Sequence, residues 1–514
     1  MGISMRGAAA ARMVGERLSR RGLALAACAC ALALGGPAEA QPGPSAAPAQ
    51  SSAPQAAAPR PTSSVRLRPD QIALLERTLS AADRYGFDPS AFSTADVDAD
   101  LDAPDPATRQ AGQMALVALT LRYARAMRSG ALAPADFLYE WGLKPAPYDP
   151  APGFVQAVAQ DRLAAWLDGL PPPYTGFQAL VGGLATYRGI AARGGWAPIE
   201  AGPDLKLGST GKRVAELRAR LAAEDPTVAA SGGEAFDAPL AEALIRAQKR
   251  FGLEPTGVLG KSTLAALNVP VDERIDQIIA NMERWRWLPN VLPADRIQVN
   301  IAAAVLTLFH EDTPVLSMRA VTGRPDDETP MLQSQIQSII LNPPWNVPSD
   351  IAAKELWPKE RAHPGYLARN DFVVIRTPDG GVRLQQKPGD KAALGHIKFD
   401  FANKYGVYLH DTPTHSTFGK YARMVSHGCV RLEKPLLLAN TVMQGSSQWT
   451  PDAINATIAA GDTVRASLPK PIAVFLLYWT AYVGPDGQVN FRDDPYNWDH
   501  ILIQKLADSD HSAA

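Results

Sequence analysis

Near residue 295 the spacing of apolar side chains changes. Upstream they recur every three or four residues, as a helix requires. Downstream they alternate, or run in short blocks bounded by Gly and Pro, as strands require. The two periods bury different faces, so one layer cannot serve both. A chain of 514 residues has room for roughly two to four domains. The expected fold is therefore multidomain α+β: helical modules first, then a β-rich domain arranged as a sheet sandwich or barrel.

The helical part divides in two. Residues 66–202 are expected to form a helical scaffold. Asp70 is the expected N-cap of a first helix carrying Ile72, Leu75 and Leu79, and "ATRQAGQMALVALTLRYARAMRSG" is a longer helix ending near Gly130. "DFLYEWG", "GFVQAVAQDRLAAWLDGL" and "GFQALVGGLATYRGIAARGG" continue the helical pattern. Residues 203–270 read as a compact three-helix unit, with Val214, Leu217 and Leu221 on one face and Leu240, Leu244, Ala247 and Phe251 on another. A connecting helix over 271–294 carries Ile275, Ile278, Ile279, Met282, Trp285 and Trp287, a composition suited to packing between domains.

In the β-rich domain, 295–470, "RIQVNIAAAVLTLF" and "PVLSMRAVTG" are expected strands around the turn "HEDT". "IQSIILNPPWNVP" is a third strand, placing Trp345 and Asn346 at its end, and "YGVYLHDTP" is another. Residues 350–405 form an insert with a hairpin around Asp379-Gly380-Gly381, expected to act as a lid. "EKPLLLANTVMQG" is a helix with Pro435 in its first turn. Residues 471–514 supply C-terminal strands and a helix that pack on the scaffold.

The N-terminus points to export. Arg12, Arg17, Arg20 and Arg21 precede the apolar run "LALAACACALAL", and Ala38-Glu39-Ala40 fits a signal-cleavage site, giving a signal peptide over 1–40. An uncleaved anchor needs a longer apolar run. Lipidation at Cys28 is the alternative. Residues 41–65, rich in Pro, Ala and Ser, read as a disordered linker. Basic and acidic residues nearly balance, 51 against 52, with no basic block in the mature part, which argues against nucleic acid as a partner. No mature segment is apolar enough to span a membrane, and a monomer is the expected state.

Of the three cysteines, Cys28 and Cys30 lie in the signal, which leaves Cys429 alone in the mature chain. In an oxidising compartment a lone thiol is either buried and inert or kept for its reactivity. It stands in "VSHGCVRL", and His410, His415 and His427 fall within eighteen residues. A thiol nucleophile needs a base in reach and backbone N–H groups aimed at the oxyanion. The histidine spacing matches no zinc motif, so no metal and no other cofactor are expected.

His410, a spacer of fifteen residues, then Ser426-His427-Gly428-Cys429-Val430-Arg431 resembles the signature of the L,D-transpeptidase catalytic domain. "VTGRPDDETPML", "LNPPWNVPSDIAAKELWPK" and "AVFLLYWTAYVGPDGQVNFRDDPYNWD" resemble its large periplasmic members. Within 203–270, the opening "LKLGSTGKRVAEL" and the ending "TGVLGKSTLAALN" resemble a peptidoglycan-binding domain. The resemblance implies Cys429 as nucleophile, His410 as proton donor and acceptor, and Asp411 orienting His410 through its backbone carbonyl. It also implies His427 and Gly428 in the oxyanion hole, and Arg431, Tyr408, Trp345 and Asn346 as substrate-binding candidates. The implied activity is peptidoglycan L,D-transpeptidation in the periplasm, forming 3→3 cross-links between stem peptides through a thioester, with carbapenems acylating Cys429. The alternatives are an L,D-carboxypeptidase, an enzyme anchoring protein to the wall, or a non-catalytic wall-binding protein.

Overall fold

The computed structural model describes residues 65–512. The expected signal peptide, Cys28, Ala38-Glu39-Ala40 and all but the last residue of the expected linker lie outside them. Among the described residues, no helix is long and apolar enough to cross a membrane.

The β-rich half is built from β1 (Arg296–Asn300), β2 (Val305–His310), β3 (Thr313–Gly323), β4 (Leu332–Leu341), β8 (Ile397–Phe401), β9 (Leu409–His410), β10 (Met424–Ser426), β11 (Val430–Leu432) and β12 (Val464–Leu477). Their order is β10-β3-β11-β9-β8-β4-β12-β1-β2. The long β3 pairs with β2 along its first part and with β11 along its last residues. That double pairing joins the ends of the order and makes the sheet barrel-like. Its inward residues, such as Val299, Leu306, Ile339, Phe399, Leu409, Val430 and Phe475, are fully buried.

The insert is a small unit of its own. β5 (Trp345–Asn346), β6 (Phe372–Arg376) and β7 (Val382–Gln386) make a three-stranded sheet in the order β5-β7-β6. A helix over 349–362 covers it, around a private core of Val347, Ala352, Leu356, Leu367 and Leu384. The expected insert boundaries shift accordingly. Trp345 and Asn346 belong to the insert's sheet rather than to the end of a barrel strand, because Pro343-Pro344 cannot extend β4. Residues 397–401 belong to the barrel, since alternating Ile397, Phe399 and Phe401 fill its interior.

The helical modules share the barrel's core. The scaffold helix Thr175–Ala192, the helices Lys212–Ala222, Ala238–Arg250 and Lys261–Leu267, and the connecting helix Val271–Arg286 bury side chains in one continuous cluster with the barrel. A second cluster, from Leu67 to Leu170, is confined to the scaffold. The connecting helix is buried on most of its circumference. Trp285 stacks on Trp479 at 4.5 Å, and Arg284 reaches Asp499 at 2.5 Å.

Several local expectations are corrected. The first helix starts at Pro69, so Arg68 is the N-cap and Asp70 lies in the first turn, paired with Arg68. "DFLYEWG" is not a helix. After a short turn at Pro134–Asp136, Trp141 bridges to Met331 and packs on Trp287 and Trp498; burying that indole overrides local propensity. "GFVQAVAQDRLAAWLDGL" breaks into two helices at Asp161, which is left-handed with φ 56°. "RIQVNIAAAVLTLF" is two strands, turned at Ala304 with φ 49°. In "YGVYLHDTP" only Leu409–His410 is strand. The boundary expected at 470 falls inside β12, which runs on to Leu477 between β4 and β1. The C-terminal hairpin, β13 (Ala481–Val483) with β14 (Val489–Phe491), packs on the scaffold helix and connecting helix, and the helix Trp498–Ser512 packs on the connecting helix.

Candidate active site

Two short parallel strands place the chemistry. β9 and β11 pair with Leu409 beside Val430 and His410 beside Arg431. Leu409 and Val430 point into the barrel core, so Tyr408, His410, Cys429 and Arg431 project from the opposite face. On the other side of β9, Lys398 of β8 is paired with His410. One row across three strands thus reads Lys398, His410, Arg431.

His410 is buried, and its Nδ1 lies 2.5 Å from the backbone carbonyl oxygen of Asp411. A carbonyl only accepts, so Nδ1 carries the proton and Nε2 keeps a lone pair. Burial pushes the imidazole down to about 3, helped by the positive charges of Arg431 and Lys398 and opposed by the Asp411 carbonyl. The Asp411 carboxylate is used elsewhere: it accepts the N–H groups of His396 at 2.8 Å and Thr412 at 2.7 Å. A Cys-His-Asp side-chain triad is therefore absent here.

Cys429 is a free thiol, half-buried. Burial pushes its pKa up, while hydrogen bonding to Tyr408 and the charges of Lys398 and Arg431 pull the other way. Tyr408 is itself raised by burial and by its contact with Cys429, so its hydroxyl stays protonated and donates. Its ring lies under the Lys398 ammonium at 4.0 Å, and its hydroxyl also meets the Trp345 indole.

The loop before Cys429 is fixed from below. Gly428 has φ +99°, which an L side chain adopts only with strain, and a Cβ there would lie 3.3 Å from the Glu328 carbonyl oxygen. The Thr329 hydroxyl donates to the Gly428 carbonyl at 2.7 Å and accepts the Gly323 N–H at 2.8 Å. The Tyr496 hydroxyl closes this buried set by donating to the Gly323 carbonyl at 2.6 Å. The Ser426 hydroxyl donates to the Cys429 carbonyl at 2.6 Å. His427 turns toward the insert, where its Nε2 lies 2.6 Å from Oε1 of Glu355.

Cys429, His410, His427, Arg431 and Tyr408 line a cavity of about 590 Å³ whose other wall is the insert, including Trp345, Asn346, Glu355 and Tyr366. The site residues named from sequence are thus brought together. Asn346 is partly spent, since its carbonyl oxygen accepts from Arg383 at 2.7 Å and Gln385 at 2.8 Å. Arg431 is half-buried and lines the cavity. His415 sits in a turn against Phe418, outside the cavity lining. Glu355, Lys398 and Thr329 were not singled out. Alternation in "HIKFDF" does put Lys398 on the face opposite Phe399, and Thr329 is the Thr of the Thr-Pro pair in "VTGRPDDETPML", but no local pattern marks Glu355.

Parts of this chain are similar to known proteins. Residues 294–457 match the L,D-transpeptidase catalytic domain. Residues 66–184 match a scaffold domain and residues 210–267 a peptidoglycan binding domain. A curated protein of Haemophilus influenzae, provisionally named an L,D-transpeptidase, is 30% identical over 263 residues, covering 46% of this chain and 52% of its own. The chain thus spans about half the length of that relative. Among solved structures, an L,D-transpeptidase from Mycobacterium smegmatis is 19% identical over 35% of this chain and 58% of its own, with TM-score 0.18. The catalytic domain of an E. faecium L,D-transpeptidase acylated by ertapenem is 12% identical over 36% of this chain and 99% of its own, with TM-score 0.18.

Proposed function

We propose that this chain, which carries an L,D-transpeptidase catalytic domain beside a peptidoglycan-binding domain, cross-links stem peptides of peptidoglycan through a thioester on Cys429. The observation that carries the reading is the state of His410. Its Nδ1–H is spent on the Asp411 carbonyl, so a neutral imidazole offers Nε2 on the same strand face as the thiol. That suits general-base work on a thiol whose own pKa is raised.

The steps follow. His410 takes the Cys429 proton as the sulfur attacks the carbonyl of the L,D bond in a tetrapeptide stem. N–H groups of the loop His427-Gly428-Cys429 donate to the developing oxyanion. The C–N bond to the terminal D-alanine breaks, and His410 returns the proton to the leaving amine. An amine of a neighbouring stem then attacks the thioester and gives a proton to His410, the C–S bond breaks, and His410 passes that proton to the departing sulfur, restoring the thiol and the neutral imidazole. The product is a 3→3 cross-link, and bonds and protons balance without a cofactor. Arg431 faces the cavity as a cation able to pair with a substrate carboxylate, and Tyr408, Trp345 and Asn346 shape the cleft. The insert works as a lid that keeps water from the thioester and so favours the amine. A wall substrate supports a periplasmic location for the protein.

Muropeptide profiles of wild type and Cys429→Ala test this reading. Loss of 3→3 dimers in the variant is expected. Loss of tripeptides alone would instead mark a carboxypeptidase, and an unchanged profile would leave only wall binding.

A further inference from the structure

One side chain of the insert reaches into the motif loop. Glu355 lies in the helix over 349–362, which is α-helical at both ends and π-helical at Ala352–Leu356. Pro358 explains the widened turn. It has no N–H for the carbonyl of Lys354, and its ring would strike that carbonyl; a π-turn relieves both. The extra residue rotates the preceding side chains by roughly 100° relative to a regular helix. Ala352 and Leu356 pack into the insert's core, while Glu355 lines the cavity.

There its Oε1 lies 2.6 Å from His427 Nε2. Lys359 Nζ is 3.8 Å from Oε2, and Arg324 Nη2 is 3.9 Å from Oε1. Arg324 is tied to the same loop: its backbone N–H donates to the Ser426 carbonyl at 3.0 Å, and its Nε donates to Asp327 at 2.6 Å. The carboxylate therefore joins the insert, the 324–327 turn and the segment Ser426-His427. A carboxylate accepts, so His427 carries its proton on Nε2 and its ring orientation is set by a residue of the insert.

We propose that Glu355 is a positioning residue that couples closure of the insert to the orientation of His427, and through it to the loop presenting the Gly428 and Cys429 N–H groups. The proposal deepens, and rests on, the reading of this cleft as a cysteine acyl-transfer site. With the insert swung away, His427 loses its acceptor and the loop its tether. The oxyanion site is then assembled only when water is shut out.

Two readouts on the full chain test it: the rate of iodoacetamide alkylation at Cys429, followed by peptide mass spectrometry, and turnover of a disaccharide-tetrapeptide. Glu355→Ala should alkylate about tenfold faster and lose about tenfold in kcat with little change in KM. Glu355→Gln keeps an acceptor oxygen and should stay within about threefold of wild type in both. In the Glu355→Ala/His427→Ala double variant the kcat losses should not multiply, because the two side chains act as one unit. Wild-type alkylation in Glu355→Ala, a Gln variant as impaired as the Ala variant, or independent multiplying effects would each overturn the proposal. Absence of turnover in wild type would reject the acyl-transfer reading instead, and the alkylation rates would still decide the coupling.

Discussion

His410 and Cys429 are shifted in opposite directions by the same burial, and both shifts favour the neutral form. The resting site thus holds a thiol and a neutral imidazole rather than an ion pair. Alkylation of Cys429 in the folded protein should keep rising with pH beyond the ordinary thiol range of about 8.5; a plateau below that value would contradict the assignment. For His410 the sign is equally definite. Its folded pKa of about 3 lies below the ordinary 6.5, so between these values the unfolded chain binds a proton that the folded chain refuses. The associated stability is full above the upper value and is lost as pH falls toward the lower one. Melting curves from pH 7 to pH 4 should therefore drop less for His410→Gln than for wild type, while the variant's kcat falls about 10²–10⁴-fold. At this scale much was legible. The spacing from His410 to Cys429 marks both residues, and the Asp411 carbonyl rather than its carboxylate meets the His410 ring. The Tyr408–Cys429 contact and the Lys398 charge were less legible, because they arise from strand register across β8, β9 and β11.

The loop Ser426–Cys429 and the insert are the elements that shape the cleft. Gly428→Ala would force a Cβ at φ +99° and should cost about 1–3 kcal/mol in unfolding free energy, with activity lost as well. Thr329→Val removes the hydroxyl that serves both Gly323 and Gly428, and denaturant melts should record a loss of about 1–3 kcal/mol. Shortening the insert's hairpin at Gly380-Gly381 should raise hydrolysis of the thioester relative to cross-linking, read as tripeptide against dimer by chromatography; an unchanged ratio would contradict a lid. The hairpin was readable from its Asp-Gly-Gly turn. The π-turn that aims Glu355, and the recruitment of Trp345 into the insert's sheet, depend on prolines whose consequences appear only once the neighbouring carbonyls and strands are placed.

Across the whole molecule the modules are bound by buried charge as well as by apolar packing. Glu224, in the segment after the first helix of the peptidoglycan-binding unit, pairs with Arg220 at 2.6 Å and Arg250 at 2.9 Å and accepts the hydroxyl of Tyr187 from the scaffold. Burial raises the carboxyl, but the two guanidiniums outweigh it and hold it below its ordinary value. Arg250 also donates to Gln488 of the C-terminal hairpin at 2.8 Å. Glu224→Ala would strand both guanidiniums and should cost about 3–5 kcal/mol, with hydrogen exchange rising together in the scaffold, the helices of the 203–270 unit and the hairpin. Exchange confined to one module would mean that the modules are only loosely joined. The sequence separates these units by period and motif, but it does not reveal their common core, since such contacts join residues far apart in the chain. Intact-mass spectrometry of the full chain with a tetrapeptide-bearing muropeptide should detect, on wild type alone, an adduct equal to the substrate less D-alanine, mapped to Cys429. An equal adduct on Cys429→Ala, or release of D-alanine at the wild-type rate by that variant, would rule out a thioester on Cys429.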